Sequence, residues 1–519
     1  MTVTSLPGWW WPKGRYSRHQ EVAMLVNVYT GDQIRAAEKP LLDTGYGPAL
    51  MGRAAYGLAH HIAHHHSSAR GRGLYGARIT ALIGPGNNGG DGLYALAHLA
   101  RRGAAVAAVL TRDRAHPEGL QAFRAAGGRV VDHIPPSTEV LVDAVVGTGF
   151  RGDFVRPQVP GLEILNDDAA LRPLVVACDL PSGVNADTGA AGEGVIAADL
   201  SVTFGGMKQG LIAGRGGTLS GMLHTVPIGL ERHLPKTPVR LTSVQEPTNV
   251  SSPLPTDHKY SRGVLHLVAG SSAFPGAALL TAGAAVSTGV GMVVLQAPEA
   301  VRSRVISAYP EVVGVPPSST PAAMDRSDGV VIGPGLGDQP QLLSEAEAVL
   351  EHVLESGTAC VLDASGLGLI RDQLRRRGGL STNVLITPHV GEARRIAVML
   401  RDRVLASMLD SGSAKADPVE AARRVAGSLD CSVLLKGSTT VVASPQGEVL
   451  LHRAQAPGLA TAGTGDVLSG ILGALCATQE QDWLTVAAQG VSMHTAAVQR
   501  IDPEGRGRFG ASAVVRAMG

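Results

Sequence analysis

The run Gly84-Pro85-Gly86-Asn87-Asn88-Gly89-Gly90-Asp91-Gly92 combines what a phosphate turn needs with residues it does not need. Glycines let a backbone close on an anion, and the free N–H groups of a helix start then meet it. The spacing Gly84-x-Gly86-x-x-Gly89 fits a dinucleotide fingerprint, a weak signal alone. Two amides and a carboxylate are surplus to a pyrophosphate turn; they suit a site that holds a cation and a polar nucleotide. Two more polar groups follow apolar runs: Asp143 with Gly147-Thr148-Gly149 and Asp153, and Asp179-Leu180-Pro181-Ser182-Gly183. Hard cations take oxygen ligands, which Asn88, Asp143 and Ser182 can supply. Asp179 is then available as a general acid/base, its pKa tuned by burial. Each group alone could be a helix or turn cap; three together point to a site.

A second constellation lies far downstream. Ala462-Gly463-Thr464-Gly465-Asp466-Val467-Leu468-Ser469-Gly470 is a glycine turn entering an apolar helix, an anion hole made of N–H groups and a positive helix end. Asp466 can take a proton from a hydroxyl that attacks a phosphoryl group. Lys436-Gly437-Ser438-Thr439-Thr440 offers a cation and donors for a nucleotide diphosphate. No G-x-x-x-x-G-K-[ST] loop occurs, which excludes Walker-type NTPases as a model. Gly-Thr-Gly-Asp could be a helix cap only; with Lys436-Gly437 beside it, catalysis is the preferred reading.

The elements that must position these residues alternate. Strands are expected at 79–83, 105–110, 140–145, 174–179, 199–204 and 222–226, with helices around 31–39, 48–64, 91–102 and 117–126. After a proline-rich polar stretch the alternation restarts. Strands are expected at 263–268, 291–295, 328–332, 358–362, 383–386, 431–435, 438–444 and 448–451, with helices around 277–289, 340–354, 416–427, 463–477 and 484–499. This is an α/β pattern of two doubly wound domains. The expected division is an extension or mis-assigned start over 1–23, domains over 24–240 and 257–519, and a linker over 241–256.

Composition agrees. A chain of 519 residues is too long for one ordinary core. A net charge of +1 gives no reason to expect nucleic acid or an anionic membrane as partner. Cys178, Cys360, Cys431 and Cys476 are far apart and form no C-x-x-C pair, so reduced thiols in a cytoplasmic protein are expected. No apolar run reaches the roughly 18 residues that span a bilayer. His60, His61, His64, His65 and His66 include two i, i+4 pairs. Nothing completes a closed zinc set, so an exposed basic helix end is expected.

The motifs of the first half, with the opening Tyr29-Thr30-Gly31-Asp32-Gln33-Ile34-Arg35, resemble the NAD(P)H-hydrate epimerase family, the YjeF N-terminal domain, over about 24–235. The resemblance implies a Rossmann-like fold and a potassium ion at Asn88, Asp143 and Ser182. It also implies substrate contacts from Asn87, Asn88, Gly89, Gly90, Asp91, Gly147, Thr148, Gly149, Asp153 and Asp179. Lys208 matches a lysine usual in the family, whereas Gly52 stands where the family commonly has glutamate. Pro275-Gly276-Ala277-Ala278, Gly333-Pro334-Gly335-Leu336-Gly337, Pro388-His389-x-Gly391-Glu392, Lys436-Gly437 and Gly465-Asp466 resemble the ADP/ATP-dependent NAD(P)H-hydrate dehydratases, a ribokinase-like branch, over about 256–517. There the resemblance implies substrate contacts at Ala277, Gly335, His389 and Asp466, and nucleotide contacts at 436–440 and Gly465. Asp363-Ala364-Ser365 replaces the common Asp-Ala-Asp.

Both resemblances imply repair of one damaged cofactor. The first half would interconvert the epimers of hydrated NADH and NADPH (NADHX and NADPHX). The second would phosphorylate the S form from ADP, with Mg2+, and regenerate the reduced nucleotide. A homo-oligomer is expected. Two alternatives stay open: a Rossmann oxidoreductase with Asp113 as the ribose acid, and a nucleotide-binding module serving a small-molecule kinase.

Overall fold

Apolar runs bounded by glycine turns become strands that are buried on both faces, the signature of a parallel sheet under helices. The computed structural model describes residues 25–166, 172–242, 254–318, 324, 326–454, 456–479, 482–503 and 505–519. The expected extension over 1–23 and most of the 241–256 stretch lie outside the described residues. The expected strands and the helices expected in the second half form within about two residues of their expected ends, whereas the helices expected at 31–39, 48–64 and 91–102 form over Gly31–Asp43, Gly47–Arg70 and Asn87–Arg101.

Seven parallel strands make the first sheet, in the order Arg129–Val131, Ala105–Leu110, Arg78–Ile83, Val140–Ala144, Leu174–Cys178, Leu200–Phe204 and Met222–Val226. The order reverses between Arg78–Ile83 and Val140–Ala144, and a crevice opens at such a switch point. The second sheet repeats that order with Val313–Val315, Met292–Gln296, Val264–Val268, Gly329–Ile332, Ala359–Leu362, Val384–Ile386 and Ser432–Leu435, all parallel. Thr439–Ala443 and Val449–Arg453 then extend it by antiparallel pairing. Both halves are doubly wound α/β units.

The second sheet does not end there. Val239–Thr242 pairs in parallel with Val449–Arg453, Leu25–Tyr29 pairs antiparallel with Val239–Thr242, and Met207–Lys208 closes the edge. Three pieces of the first half therefore complete the sheet of the second, making it twelve-stranded. Thr439 Oγ1 donates to Ile212 O at 2.5 Å and Arg453 to Gly221 O at 2.7 Å, fastening the 209–221 segment onto the same edge.

The histidine run corrects an expectation. It lies in the Gly47–Arg70 helix, and only His60 and His64 are exposed. His66 is buried against Glu139 at 3.2 Å, and His65 is buried beside His224. Burial, followed by the neighbouring imidazoles, pushes His61 and His65 down to about 4. Both rings are neutral at physiological pH, so this is not a basic helix end.

Candidate functional sites

The first cleft, about 530 Å³, opens at the switch point of the first sheet. Gly84 ends the Arg78–Ile83 strand so close to Val145 O that a Cβ would lie 1.8 Å from it, which only glycine permits. The chain then enters the Asn87–Arg101 helix, whose start faces the cleft. Asn87, Asn88, Asp91, Gly147, Thr148, Gly149, Asp179 and Lys208 all line it. Gly89 and Gly90 are buried behind the helix start, where a Cβ would strike Gly84 O and His116, and they do not line the cleft. Asp153 is exposed and also stands outside it.

Asp179 follows its strand at φ +72°, a conformation costly for a non-glycine residue and typical of sites where geometry is imposed. Its Oδ1 accepts from Lys208 Nζ at 2.5 Å, from Thr203 Oγ1 at 3.1 Å and from the Phe204 amide at 3.3 Å. Its Oδ2 accepts from the Thr148 amide at 3.2 Å and from Thr148 Oγ1. Burial pushes the carboxyl up, but Lys208 and these donors outweigh it and hold Asp179 below the ordinary carboxylate value. Burial therefore does not set its protonation; the ion pair does. Asp91 is the reverse: burial, then the charges of Asp179 and Glu38, push it well up. Glu38, also raised by burial, lines the same cleft. Sequence reasoning missed it, because a glutamate on the Gly31–Asp43 helix looks like any surface residue.

Asn88, Asp143 and Ser182 adjoin this cleft. Asp143 Oδ1 accepts from Ser182 Oγ at 2.5 Å and Oδ2 from the Ser182 amide at 2.8 Å. It is fully buried, and no lysine or arginine among the described residues pairs with it. Burial raises its pKa. The buried Nδ2 of Asn88 has no hydrogen-bond partner. A buried carboxyl group without a counter-charge, with the Ser182 hydroxyl against it and Val146 O 3.2 Å from that hydroxyl, offers the oxygen ligands that a hard cation takes.

The second cleft, about 670 Å³, lies between the end of Ser432–Leu435 and the start of the Thr464–Thr478 helix. His389, Lys436, Gly437, Ser438, Thr440 and Gly465 line it. Thr439 does not: strand alternation turns Thr440 inward and Thr439 outward, onto Ile212. Gly217 and Thr218 of the first half form part of the wall. Gly463, at φ +90°, caps the helix, and the Gly465 and Asp466 amides find no acceptor among the described residues. His389 caps the Val390–Met399 helix, its Nδ1 accepting from the Gly391 amide at 2.9 Å.

Lys436 Nζ donates to Asp363 Oδ1 at 2.7 Å, and Ser469 Oγ to Asp363 Oδ2 at 2.7 Å. Despite burial, which pushes the other way, that lysine keeps Asp363 low. Asp466 is pushed up to about 6, by burial first and then by the charge of Asp363. Asp363 was visible in the Asp-Ala-Ser run but was not assigned this role. Its strand end approaches Gly333 (φ +123°) so closely that a Cβ there would lie 1.8 Å from Asp363 O. Ala277 and Gly335 pack against each other, and Thr281 Oγ1 joins Ala277 O (2.9 Å) to Asp466 O (3.2 Å). Ser365, in place of the common aspartate, accepts from the Gly337 amide at 3.1 Å and steadies the Gly333–Gly337 turn.

Comparison with known proteins decides the family. A model described as YjeF-related protein N-terminus matches residues 47–210, and one for NAD(P)H-hydrate dehydratase matches 265–508. A bifunctional NAD(P)H-hydrate repair enzyme of Mycobacterium tuberculosis is 39% identical over 454 residues, covering 87% of this chain and 89% of that protein. The chain belongs to the bifunctional NAD(P)H-hydrate repair enzymes. A member of this family from Thermosynechococcus vestitus is 31% identical, again over 87% of this chain and 89% of that protein. A Bacillus subtilis ADP/ATP-dependent NAD(P)H-hydrate dehydratase, co-crystallized with ATP/Mg2+, is 24% identical with a TM-score of 0.43, covering 51% of this chain and 91% of its own. As NAD(P)H-hydrate repair enzymes carry an epimerase and a dehydratase, the two clefts are the places to seek those activities. No helix among the described residues is long and apolar enough to cross a membrane.

Proposed function

We propose that the first cleft epimerises the R and S forms of NADHX and NADPHX, and that the second dehydrates the S form at the expense of ADP. Residues 24–240 and 257–519 are taken as the two catalytic units, joined by 241–256. A cytoplasmic homo-oligomer goes with this reading. The carrying observation is the Asp466 carboxyl, raised to about 6, at an open helix start next to Gly465, which lines the second cleft together with Lys436. A base is most useful near the operating pH.

In the second cleft Asp466 takes the proton of the C6 hydroxyl, whose oxygen bonds to the β-phosphorus of ADP while AMP leaves. Loss of phosphate from C6 and of a proton from C5 then restores the ring double bond. The Gly465 and Asp466 amides hold the phosphoryl charge, and Ser438, Thr440 and Gly437 seat the nucleotide. Mg2+ would neutralise phosphate charge. It usually keeps several waters, which suits a cleft where Lys436 and Ser469 already engage Asp363. In the first cleft, Asp179 is the acid/base, Lys208 fixes its carboxylate, and Asp91 and Glu38 carry protons. Asn88, Asp143 and Ser182 would hold K+, which supplies the missing counter-charge.

The test is incubation of mixed epimers with and without ADP, followed at the reduced-nicotinamide absorbance. Full recovery with ADP and none without it is expected. Recovery that stalls near half, with no exchange of the remaining epimer, overturns the epimerase assignment; recovery without nucleotide overturns the dehydratase one.

A further inference from the structure

The histidines displaced from the helix surface form a cluster that neither activity uses. Gly57, His61 and His65 recur at i, i+4 on one face of the Gly47–Arg70 helix. Val226 and His224 share one face of the Met222–Val226 strand, at the edge of the first sheet. A Cβ on Gly57 would lie 2.4 Å from Val226 Cγ1, so glycine lets the helix settle directly onto the strand. Further along the same seam, His61 and His65 are brought against His224. His65 Nε2 and His224 Nε2 are 3.0 Å apart, and the His61 and His224 rings stack with centroids 4.4 Å apart. One ring nitrogen from each of the three lies within 4.8 Å of the others.

We propose that His61, His65 and His224 form a binding site for a borderline divalent cation of the Zn2+, Ni2+ or Cu2+ class. Imidazole nitrogens suit these ions, and no carboxylate belongs to the cluster that would favour Mg2+ or Ca2+. Around one ion at ~2.0–2.1 Å, tetrahedral ligand nitrogens stand roughly 3.3 Å apart. The His65–His224 pair already has nearly that spacing, and the remaining edges are within reach of side-chain torsions. His61 and His224 are half-buried, which leaves solvent as the fourth ligand. Three ligands from one helix and one edge strand would clip the two together. The first turns of that helix line the epimerase cleft through Gly47, Leu50, Met51 and Ala54, so the clip anchors one wall of it.

The experiment uses the full, tag-free chain, stripped with a chelator and titrated with Zn2+ against a chromogenic competitor. A single Zn2+ is expected to bind with sub-micromolar affinity and to raise the melting temperature, and Co2+ to give the intense d–d bands of a four-coordinate ion. His61→Ala and His224→Ala should each weaken Zn2+ by more than about 100-fold, since even outer-shell partners are worth about 10–100-fold. Circular dichroism of both should match the parent. A His60→Ala, His64→Ala double variant, which alters only the exposed pair, should bind within a few fold of the parent. Absence of Zn2+ binding at micromolar concentration overturns the proposal, as does unchanged binding in both single variants or loss in the double variant. Should His224→Ala fail to fold, the half-exposed His61→Ala decides alone.

Discussion

The two clefts are built from the same parts: an aspartate beyond a strand or at a helix start, a lysine, and a glycine-rich entry to a helix. They divide the charge differently. In the first, Lys208 grips Asp179 itself, 2.5 Å away in a pocket that buries both, and its carboxylate stays ionised. In the second, Lys436 is taken by Asp363, and Asp466 is left to feel burial and a neighbouring anion. One lysine placed on the working carboxylate or on its neighbour moves that carboxylate in opposite directions. Motif content alone does not reveal this; the partner does.

The largest effect should come from deleting the unpaired carboxylate. Asp466→Asn is expected to cut repair of the S epimer by roughly 10²–10⁴, the usual worth of a general base. ADP binding should stay within a few fold and epimer exchange should be untouched. If ADP binding collapses while turnover at saturating ADP survives, Asp466 is a nucleotide ligand and the contrast between the clefts fails.

Next comes the pair itself. Lys208→Met strands Asp179 as a buried charge, which typically costs about 3–5 kcal/mol. Lys436→Met should cost less, because Lys436 is 22% exposed against 1% for Lys208, and Ser469 still donates to Asp363. Denaturant titration of both variants ranks them. Equal losses would mean that the two ion pairs are equivalent after all.

Acid should separate the clefts more gently. Asp466 is raised to about 6, so its base form, and with it dehydration, is lost as pH falls through 6. The matching stability contribution has the opposite sense: it is present below the ordinary value near 3.8 and is lost as pH rises through about 6. Asp179 is lowered, so epimer exchange should persist at pH 5, and its stabilising contribution is lost only on further acidification. Coincident pH profiles for the two activities would erase the distinction.

The smallest effect concerns the wall shared by the halves. Thr439→Val removes the hydrogen bond to Ile212 O and should cost about 0.5–1.5 kcal/mol, with a few-fold weaker ADP binding through Gly217 and Thr218. Thr440→Val should weaken ADP without that stability loss. A reversed pattern, read by calorimetry and unfolding, would put Thr439 in the nucleotide site.

Most of the fold was legible because it rests on local signals: apolar runs of strand length, glycine turns and helical periodicity. Six of the seven parallel strands of each half follow from them, and so does the placing of Asn87, Asn88, Asp179, Lys436 and Gly465 at cleft walls. What stayed hidden depends on partners distant in sequence. Leu25–Tyr29 and Val239–Thr242 are short, and their meaning comes from each other and from Val449–Arg453. The His61–His65 spacing was visible, but His224 lies on another element and turns part of an exposed-looking run into a packed, half-buried cluster. Glu38 and Asp363 likewise acquire a role only from what faces them.

The shared sheet edge also sets a schedule. The ribosome releases Val239–Thr242 some two hundred residues before its partner Val449–Arg453, an interval of roughly 10–40 s at ordinary elongation rates of about 5–20 residues per second. Throughout that time one side of this strand offers unpaired amides and carbonyls, a template for any stray strand. The nascent chain must therefore carry an open edge until Val449–Arg453 emerges. Slow codons or a crowded polysome over 260–440 should lower the yield of native protein without altering a single contact in it.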